Sequence, residues 1–442
     1  MIPFSNISKD KTAIIYHEQF INYGKLQQMS RSYQKKIQKE EERIVFIPMD
    51  ECPETVYKLI ACILAKKIFV PISNQRPEEQ VNKLIGEFSS SILWTKEICH
   101  FQTNNKPILF PEDTLFIGFT SGTTGERKGF IRNQKSWINS FNIFHSVPVF
   151  AKKNYVTCLT PLHYSLGLYT LLQTLCSGQT YLLGTRKISS LASNPAVLND
   201  SQIFSVPTVF NYWIEKMEKP MFGTFDVILG GESVTENQRK TFASKCPEAR
   251  LFDFYGTSET SFISYNDQQL PERNCLGNFF PKVQVTILDA DDSIGEIAVK
   301  SPMNFQGYLN NGQIILAEET IKTGDLGKYE KVLFYFGRKD KRINRKGEKI
   351  FPAYLEKIVL QLPQIKDALI YGVSDPELGE RVLAEVVWKD EPLALSAINE
   401  FIKENSYRKG KIDTLLSVQE IQYNESGKKK IYTGEIKWNE SI

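Results

Sequence analysis

The protein has 442 residues, of which 41% are hydrophobic and 24% charged, the composition of a folded globular chain. This length predicts about three structural units, or one large and one small domain. The 54 basic and 51 acidic side chains leave a net charge of +3, which does not indicate a nucleic-acid partner. The seven cysteines include no Cys-x-x-Cys pair and no apolar run is long enough to span a bilayer, so we expect a cytoplasmic protein without an integral membrane segment.

The first half of the chain alternates short apolar strands with helical patterns. Strands are predicted at 44–47 and 68–72, and between them the apolar residues of 54–65 recur at helical spacing. A second unit of this kind is predicted from a strand at 156–159, a helix at 166–175 and a strand at 180–183. Strand–helix–strand units favour parallel sheets covered by helices.

From residue 283 the pattern changes to alternating apolar residues, at 283–287 and 297–299, which predicts antiparallel strands. The charge-dense run 339–342 then precedes a smaller helix, strand, strand and helix. Taken alone, this run is equally compatible with a solvated turn and with a domain boundary near Asp340.

A strand predicted at 116–119 leads into the segment 120–129, which contains three glycines, four hydroxyl side chains and Lys128. Glycines let backbone N–H groups converge on phosphate oxygens, hydroxyls add donors, and a lysine supplies positive charge. Neither GxxxxGK[ST] nor GxGxxG fits this segment. The segment therefore predicts a polyphosphate-binding loop of another class.

This loop strongly resembles the core loop of the adenylate-forming superfamily, which comprises acyl-CoA and aryl-CoA synthetases, nonribosomal-peptide adenylation domains and luciferases. Further segments resemble the later motifs of that superfamily and follow in the expected order: Pro161–Gly167, Leu229–Glu232, Tyr255–Glu259, Thr323–Leu326, Phe336–Asp340, Lys346–Pro352 and Gly427–Lys428.

The resemblance implies a nucleotide site in which Tyr255 stacks on adenine, Ser258 touches the α-phosphate and Asp325 accepts both ribose hydroxyls. Arg338 would contact ribose or phosphate, and Gly347 would approach the pantetheine of coenzyme A. The full set of residues expected to bind cofactors is Thr120, Ser121, Gly122, Thr123, Thr124, Gly125, Lys128, Gly230, Gly231, Glu232, Tyr255, Gly256, Thr257, Ser258, Asp325, Arg338 and Gly347.

The resemblance also implies catalytic roles for Lys428, Lys128 and Glu259, with Glu259 as the Mg²⁺ ligand. The basic run 428–430 is equally typical of a solvated tail, and Lys429 is the alternative to Lys428.

The gate of the acyl pocket would be Tyr164 or its neighbour His163, although packing at a strand end accounts for both residues equally well.

The fold implied is α/β. A large N-terminal domain, residues 1–339, would contain helix-covered, mainly parallel sheets and a β-barrel-like portion. A small mobile α+β C-terminal domain, residues 340–442, would rotate about Asp340 as its hinge.

The function implied is ATP-dependent activation of a carboxylic acid to an acyl-adenylate, followed by transfer to coenzyme A, with Mg²⁺ as a further cofactor. The acid would be a fatty acid or another small apolar acid. One alternative is a free-standing adenylation enzyme that loads an amino or hydroxy acid onto the phosphopantetheine of a carrier protein, but the strand after Tyr164 offers no obvious aspartate that could pair an α-amino group. Another is a non-catalytic nucleotide-binding or regulatory protein, which the presence of Glu259 and Lys428 disfavours.

Overall fold

A computed structural model describes residues 6–120, 128–185, 191, 193–232, 234–267, 275–406, 410–423 and 429–431. Within these ranges the chain forms four sheets and the helices that cover them. The helices are α1 (Tyr23–Ile37), α2 (Pro53–Leu64), α3 (Glu78–Ile85), α4 (Gln134–Ser146), α5 (Ser165–Cys176), α6 (Pro195–Asn199), α7 (Pro207–Glu215), α8 (Glu236–Lys245), α9 (Pro352–Val359) and α10 (Leu395–Asn405).

The largest sheet in the described part of the chain has nine strands, which come from widely separated parts of the sequence. In spatial order they are β15 (Asn278–Phe279), β14 (Ser261–Asn266), β13 (Arg250–Thr257), β12 (Asp226–Gly230), β11 (Ser201–Ser205), β9 (Tyr155–Cys158), β10 (Thr180–Leu183), β1 (Thr12–Tyr16) and β2 (Gln19–Asn22).

A second large sheet has eight strands among the described residues. In spatial order they are β19 (Gln313–Leu316), β18 (Gly307–Asn310), β8 (Lys128–Asn133), β7 (Thr114–Thr120), β4 (Ile68–Ile72), β3 (Ile44–Pro48), β5 (Ser90–Trp94) and β6 (Ile98–Gln102).

Both strand–helix–strand predictions are confirmed. Strands β3 and β4 are parallel neighbours joined through α2, and β9 and β10 are parallel neighbours joined through α5. Helix α2 begins with Pro53, whose missing N–H costs nothing at a first helical position, and Glu54 places a negative charge near that helix end.

The main core lies where helices α1, α2, α4 and α5 pack between the two large sheets. Fully buried aromatic rings from the helices, such as Trp137 and Phe144, meet rings from both sheets, such as Phe116 and Phe204. Burial of rings of this size is a major source of the stability of this layer.

The antiparallel prediction after residue 283 is also confirmed. Four strands form a separate antiparallel sheet in the order β16 (Gln284–Asp291), β17 (Ile294–Lys300), β20 (Thr320–Tyr329) and β21 (Leu333–Arg338). This sheet occupies the part of the large domain for which the resemblance implied a β-barrel-like portion.

The C-terminal part is α+β, as predicted, but begins with two strands that the sequence pattern missed because each is three residues long. Its sheet runs β23 (Glu348–Ile350), β22 (Ile343–Arg345), β25 (Gly379–Trp388) and β24 (Ile365–Asp375), and β26 (Thr414–Ser417) pairs with β25. Helices α9 and α10 cover it, and their core includes Ile294, Leu326 and Phe336 of the preceding sheet.

Asp340 lies in a short 3-10 turn, Lys339–Lys341, between the antiparallel sheet and β22. The domain boundary near this turn stays a prediction. Among the helices that the structure describes, none combines the length and apolar character needed to cross a membrane.

Candidate active site

Strands β9, β11, β12 and β13 are mutually parallel, so their carboxyl ends meet at one edge of the nine-stranded sheet. Three predicted motifs follow these ends: His163–Tyr164 after β9, Gly230–Glu232 at the end of β12, and Tyr255–Glu259 at the end of β13. The carboxyl edge of a parallel sheet is the usual place for a ligand. This edge is the candidate active site.

The Asp325 cluster, defined here as Tyr255, Asp325 and Arg338, joins this edge to the antiparallel sheet. The Tyr255 hydroxyl donates to Asp325 Oδ2 at 2.7 Å, and Arg338 Nη1 lies 3.3 Å from Asp325 Oδ1. Arg338 Nη1 also donates to the Thr323 carbonyl at 2.8 Å. Three residues that the sequence assigned to the nucleotide site, spread over more than eighty positions, are therefore in contact.

Burial sets the electrostatics of this cluster. Asp325 is only 5% exposed, and burial raises the pKa of its carboxyl against the opposing effects of Tyr255 and Arg338. The negative charge of the Glu259 carboxylate raises the pKa of Asp325 further. Each carboxylate oxygen of Asp325 still has a lone pair for another donor.

Glu259 lies in the tight turn between β13 and β14. Its Oε1 accepts a hydrogen bond from Tyr308 at 2.9 Å, and its N–H donates to the Thr257 hydroxyl at 3.2 Å. Gly256 is required at the start of the turn because a Cβ there would lie 1.9 Å from the Ser261 carbonyl oxygen. Ser258 lies half-buried in the same turn.

The glycine pair at the end of β12 also lies at this edge. Phe254 fills the space beside Gly230, and Gly231 has a positive φ of 92°. Glu232 is half-buried, and its Oε2 accepts a hydrogen bond from the Thr208 hydroxyl at 2.9 Å.

The polyphosphate loop connects two antiparallel strands. Thr120 at the end of β7 pairs with Lys128 at the start of β8, and the Lys128 side chain is exposed. The predicted loop residues Ser121, Gly122, Thr123, Thr124 and Gly125 lie outside the described residues. The loop therefore bridges a β-hairpin, whereas the GxxxxGK[ST] pattern belongs to a strand-to-helix connection.

The two candidate gate residues, His163 and Tyr164, are both half-buried, with ring centroids 4.2 Å apart. Tyr164 is the N-cap of α5. The choice between them as gate stays a prediction.

Gly347 and Asp340 lie after the antiparallel sheet, at the start of the C-terminal part. Lys346 and Gly347 form the two-residue turn between β22 and β23, with φ values of 48° and 82°. Two positive φ angles are typical of a type I′ hairpin turn, where glycine is favoured. No atom of the described residues lies within 4 Å of a Cβ built on Gly347, so the turn itself explains this glycine. Asp340 is exposed, and its Oδ1 lies 3.4 Å from Arg338 Nε.

The predicted catalytic Lys428 lies outside the described residues, but its neighbour Lys429 is described. Lys429 Nζ is 2.8 Å from Asp367 Oδ1 and donates to the Ala368 carbonyl at 2.6 Å. It also lies 4.0 Å from Glu356 Oε2. The Lys429 ammonium is thus held on the C-terminal sheet, which favours Lys428 over Lys429 as the catalytic group.

Sequence reasoning missed two residues that touch Glu259, namely Tyr308 through its hydroxyl and Arg132 through its guanidinium. Arg132 had a detectable signal, because an arginine directly after the apolar pair Phe130–Ile131 is unusual on a buried strand. Tyr308 had none.

Comparison with known proteins identifies the family. A profile described as AMP-binding enzyme matches residues 94–309. VraA of Staphylococcus aureus, provisionally named a long chain fatty acid-CoA ligase, is 30% identical over 325 residues, covering 71% of this chain and 69% of VraA. The chain belongs to the adenylate-forming acyl-CoA synthetase family. Membership in this family makes the protein an AMP-forming acid–CoA ligase by class.

Other members of the acyl-CoA synthetase family are similar over comparable lengths. VraA of Staphylococcus epidermidis is 28% identical over 431 residues, covering 95% of this chain and 93% of VraA. YhfT of Bacillus subtilis, an uncharacterized acyl-CoA ligase, is 29% identical over 303 residues, covering 66% of this chain and 62% of YhfT.

Solved structures confirm the fold class. The o-succinylbenzoate CoA synthetase MenE of Bacillus subtilis, bound to its acyl-adenylate, has a TM-score of 0.78 at 20% identity, with 95% of this chain and 94% of that chain covered. ATP-bound MatB from Rhodopseudomonas palustris has the same TM-score and coverage at 17% identity. These likenesses show a large N-terminal and a smaller C-terminal domain.

Proposed function

We propose that the protein activates a fatty acid or another apolar carboxylic acid with ATP and transfers the acyl group to coenzyme A. The Asp325 cluster beside Glu259 is the observation that carries the proposal. It combines an aromatic ring, a buried carboxylate with spare lone pairs and a guanidinium, which suit adenine, a ribose diol and phosphate respectively.

The first half-reaction requires a carboxylate oxygen to attack the α-phosphorus of ATP, with release of pyrophosphate. Since both reactants are anions, the barrier falls when the site holds them in line and supplies positive charge. Lys128, exposed at the end of the hairpin loop, would bind the phosphates, and Lys428 would approach the reacting oxygens. Each lysine would act as a fixed charge without transferring a proton.

The residues present fit a Mg²⁺ ion. Glu259 offers a carboxylate and the same turn carries the Thr257 and Ser258 hydroxyls, so the available donors are oxygens, which Mg²⁺ prefers. Glu259 would hold the ion together with the phosphates. When bound, Mg²⁺ would offset negative charge on the phosphates.

The second half-reaction would follow a rotation of the C-terminal domain about Asp340, which would withdraw Lys428 and bring the Gly347 hairpin to the adenylate. The coenzyme A thiol would then attack the acyl carbonyl and release AMP. Domain motions of this kind commonly limit turnover.

The name of VraA, a provisional long chain fatty acid-CoA ligase, supports this class of acid.

All seven cysteines have free thiols, which suits a reducing cytoplasm.

The test is acid-dependent exchange of pyrophosphate into ATP, with saturated fatty acids of increasing length, an aromatic acid and amino acids as the panel. We expect exchange with apolar acids, and thioester formation when coenzyme A is added. Exchange with amino acids alone, followed by loading of a carrier protein and not of coenzyme A, would contradict the proposal. ATP binding without exchange would favour the regulatory alternative.

A further inference from the structure

Arg132 is a buried cation in the core of the large domain. It lies on β8, four residues after Lys128, and is only 2% exposed. A buried charge is costly unless surrounding groups compensate it. Its position between the two large sheets therefore requires compensating groups around the guanidinium.

The guanidinium donates to oxygens from two separate segments. Nη1 donates to the Met303 carbonyl at 2.7 Å and to the Glu259 carbonyl at 3.3 Å, and Nη2 donates to the Ser261 hydroxyl. Nε has no hydrogen-bond partner among the described residues. Arg132 therefore ties the eight-stranded sheet to the turn that carries Glu259.

These acceptors are neutral. Burial lowers the pKa of Arg132 to about 9, while the Glu259 carboxylate opposes that shift. Arg132 is therefore linked to the Glu259 turn by its hydrogen bonds and by opposite charge.

A second contact reaches Glu259 from the same sheet. Tyr308 on β18 pairs with Phe130 on β8, so the side chains of Tyr308 and Arg132 lie on the same face of the sheet. Tyr308 holds the Glu259 carboxylate, and Arg132 holds the Glu259 carbonyl and the Ser261 side chain.

The turn needs such support, because its backbone is not in a preferred conformation. Ser261 has a φ of 60°, in the left-handed region that is uncommon for residues other than glycine. A strained residue persists where its surroundings fix it.

We propose that Arg132 is a positioning residue for metal binding: it clamps the Glu259 turn onto the strand that carries Lys128, so that the Glu259 carboxylate meets the Mg²⁺ ion of MgATP. This inference rests on the proposed function, since it concerns the same nucleotide site. Arg132 acts through Glu259 and touches neither nucleotide nor metal.

The experiment measures binding of ATP by calorimetry, with and without Mg²⁺ and in the absence of any acid, for the wild type, Arg132→Met and Arg132→Lys. For Arg132→Met we expect ATP binding in EDTA to be unchanged, and the gain in affinity that Mg²⁺ provides to fall by about ten- to a hundredfold. Arg132→Lys keeps the charge and should recover part of the gain.

Lys58→Met is the matched control. Lys58 is also buried, and its ammonium donates to the Thr95 carbonyl at 2.5 Å, but it lies on α2, away from the site. It should lower thermal stability without changing the Mg²⁺-dependent gain. If Arg132→Met fails to fold, Ser261→Ala removes one acceptor of the guanidinium and should reduce the same gain to a smaller extent.

An unchanged Mg²⁺-dependent gain in the variant that folds would overturn the inference, as would an equal loss of ATP affinity with and without Mg²⁺. Because this binding is measured without acid, a wild type that fails to support pyrophosphate exchange rejects the proposed function and leaves the result for Arg132 intact.

Discussion

The two parts of the molecule hold carboxylates in different ways. In the Asp325 cluster, Tyr255 and Arg338 approach one carboxylate from two sheets and leave it lone pairs for a ligand. In the Lys429 cluster, defined as Glu356, Asp367, Tyr423 and Lys429, the groups engage one another: Tyr423 donates to Asp367 Oδ2 at 2.5 Å, and Lys429 lies 2.8 Å from Oδ1.

This difference indicates two roles: the Asp325 cluster would bind a ligand, and the Lys429 cluster would support the chain. The carboxylate of Asp325 can accept a ligand, whereas Asp367 already holds the chain segment next to Lys428. The first cluster should therefore determine nucleotide affinity, and the second should determine where Lys428, the proposed catalytic lysine, begins its approach.

The largest effect should come from Lys428. Lys428→Ala should slow acid-dependent pyrophosphate exchange by on the order of 10²- to 10³-fold, because it removes a charge placed where negative charge concentrates. Lys429→Ala should slow exchange much less, since the Lys429 ammonium is already paired. Initial rates at saturating ATP measure both, and a larger loss for Lys429→Ala would reverse the assignment.

The next effect concerns Asp325. Asp325→Asn should weaken ATP binding by about 1.5–3 kcal/mol, the usual value of hydrogen bonds to a charged group. It should also abolish the preference for ATP over 2′-deoxy-ATP, which competition binding measures.

Asp226→Asn is the control for Asp325→Asn, because Asp226 is fully buried and bonded to Arg250 at 2.8 Å, at the opposite end of β12. It should cost stability and keep the preference for the ribose hydroxyl. If Asp325→Asn keeps that preference too, Asp325 does not bind ribose.

Gly347→Trp should separate the half-reactions. We expect pyrophosphate exchange to persist while thioester formation falls by at least about tenfold, or about 1.4 kcal/mol in barrier, because the indole would stand where coenzyme A arrives. Gly312→Trp is a matched control, since Gly312 also has a positive φ, of 73°, and in the described part of the chain no atom lies within 4 Å of a Cβ built on it. Equal loss of both half-reactions in Gly347→Trp would contradict the rotating-domain account.

The smallest effect on activity should come from Glu356, whose role is structural. Burial raises the pKa of Glu356 to about 7 from an ordinary value of 4.5, so the folded state binds this proton more tightly than the unfolded state. Folding stability should therefore fall by on the order of 3 kcal/mol as pH rises from about 4.5 to about 7, and level off above that.

Glu356→Gln should flatten this pH dependence, as measured by urea unfolding at several pH values. The exposed Glu400→Gln should leave it unchanged. An identical pH profile in Glu356→Gln and the wild type would show that the carboxyl is not responsible.

The sequence predicts the layers of this fold well because hydrophobic spacing reports directly on secondary structure. The units around α2 and α5 and the antiparallel strands after residue 283 follow from it. Strands β22 and β23 were not predicted, since three residues are too few to show a hydrophobic period.

Motif order also predicts which residues belong to the site, but not their contacts. The bond between Tyr255 and Asp325 joins positions seventy residues apart, and the support of Glu259 by Arg132 joins two different sheets. Such contacts depend on how the sheets pack, which no local pattern encodes.

The most direct test of the account follows the oxygen atoms of the acid. The acid that supports the fastest exchange, labelled with ¹⁸O in its carboxylate, is incubated with ATP and coenzyme A, and the nucleotide product is analysed by mass spectrometry. We predict AMP that carries one ¹⁸O atom, because the carboxylate oxygen becomes bonded to the α-phosphorus. Unlabelled AMP, or ADP with the label in inorganic phosphate, would contradict the account.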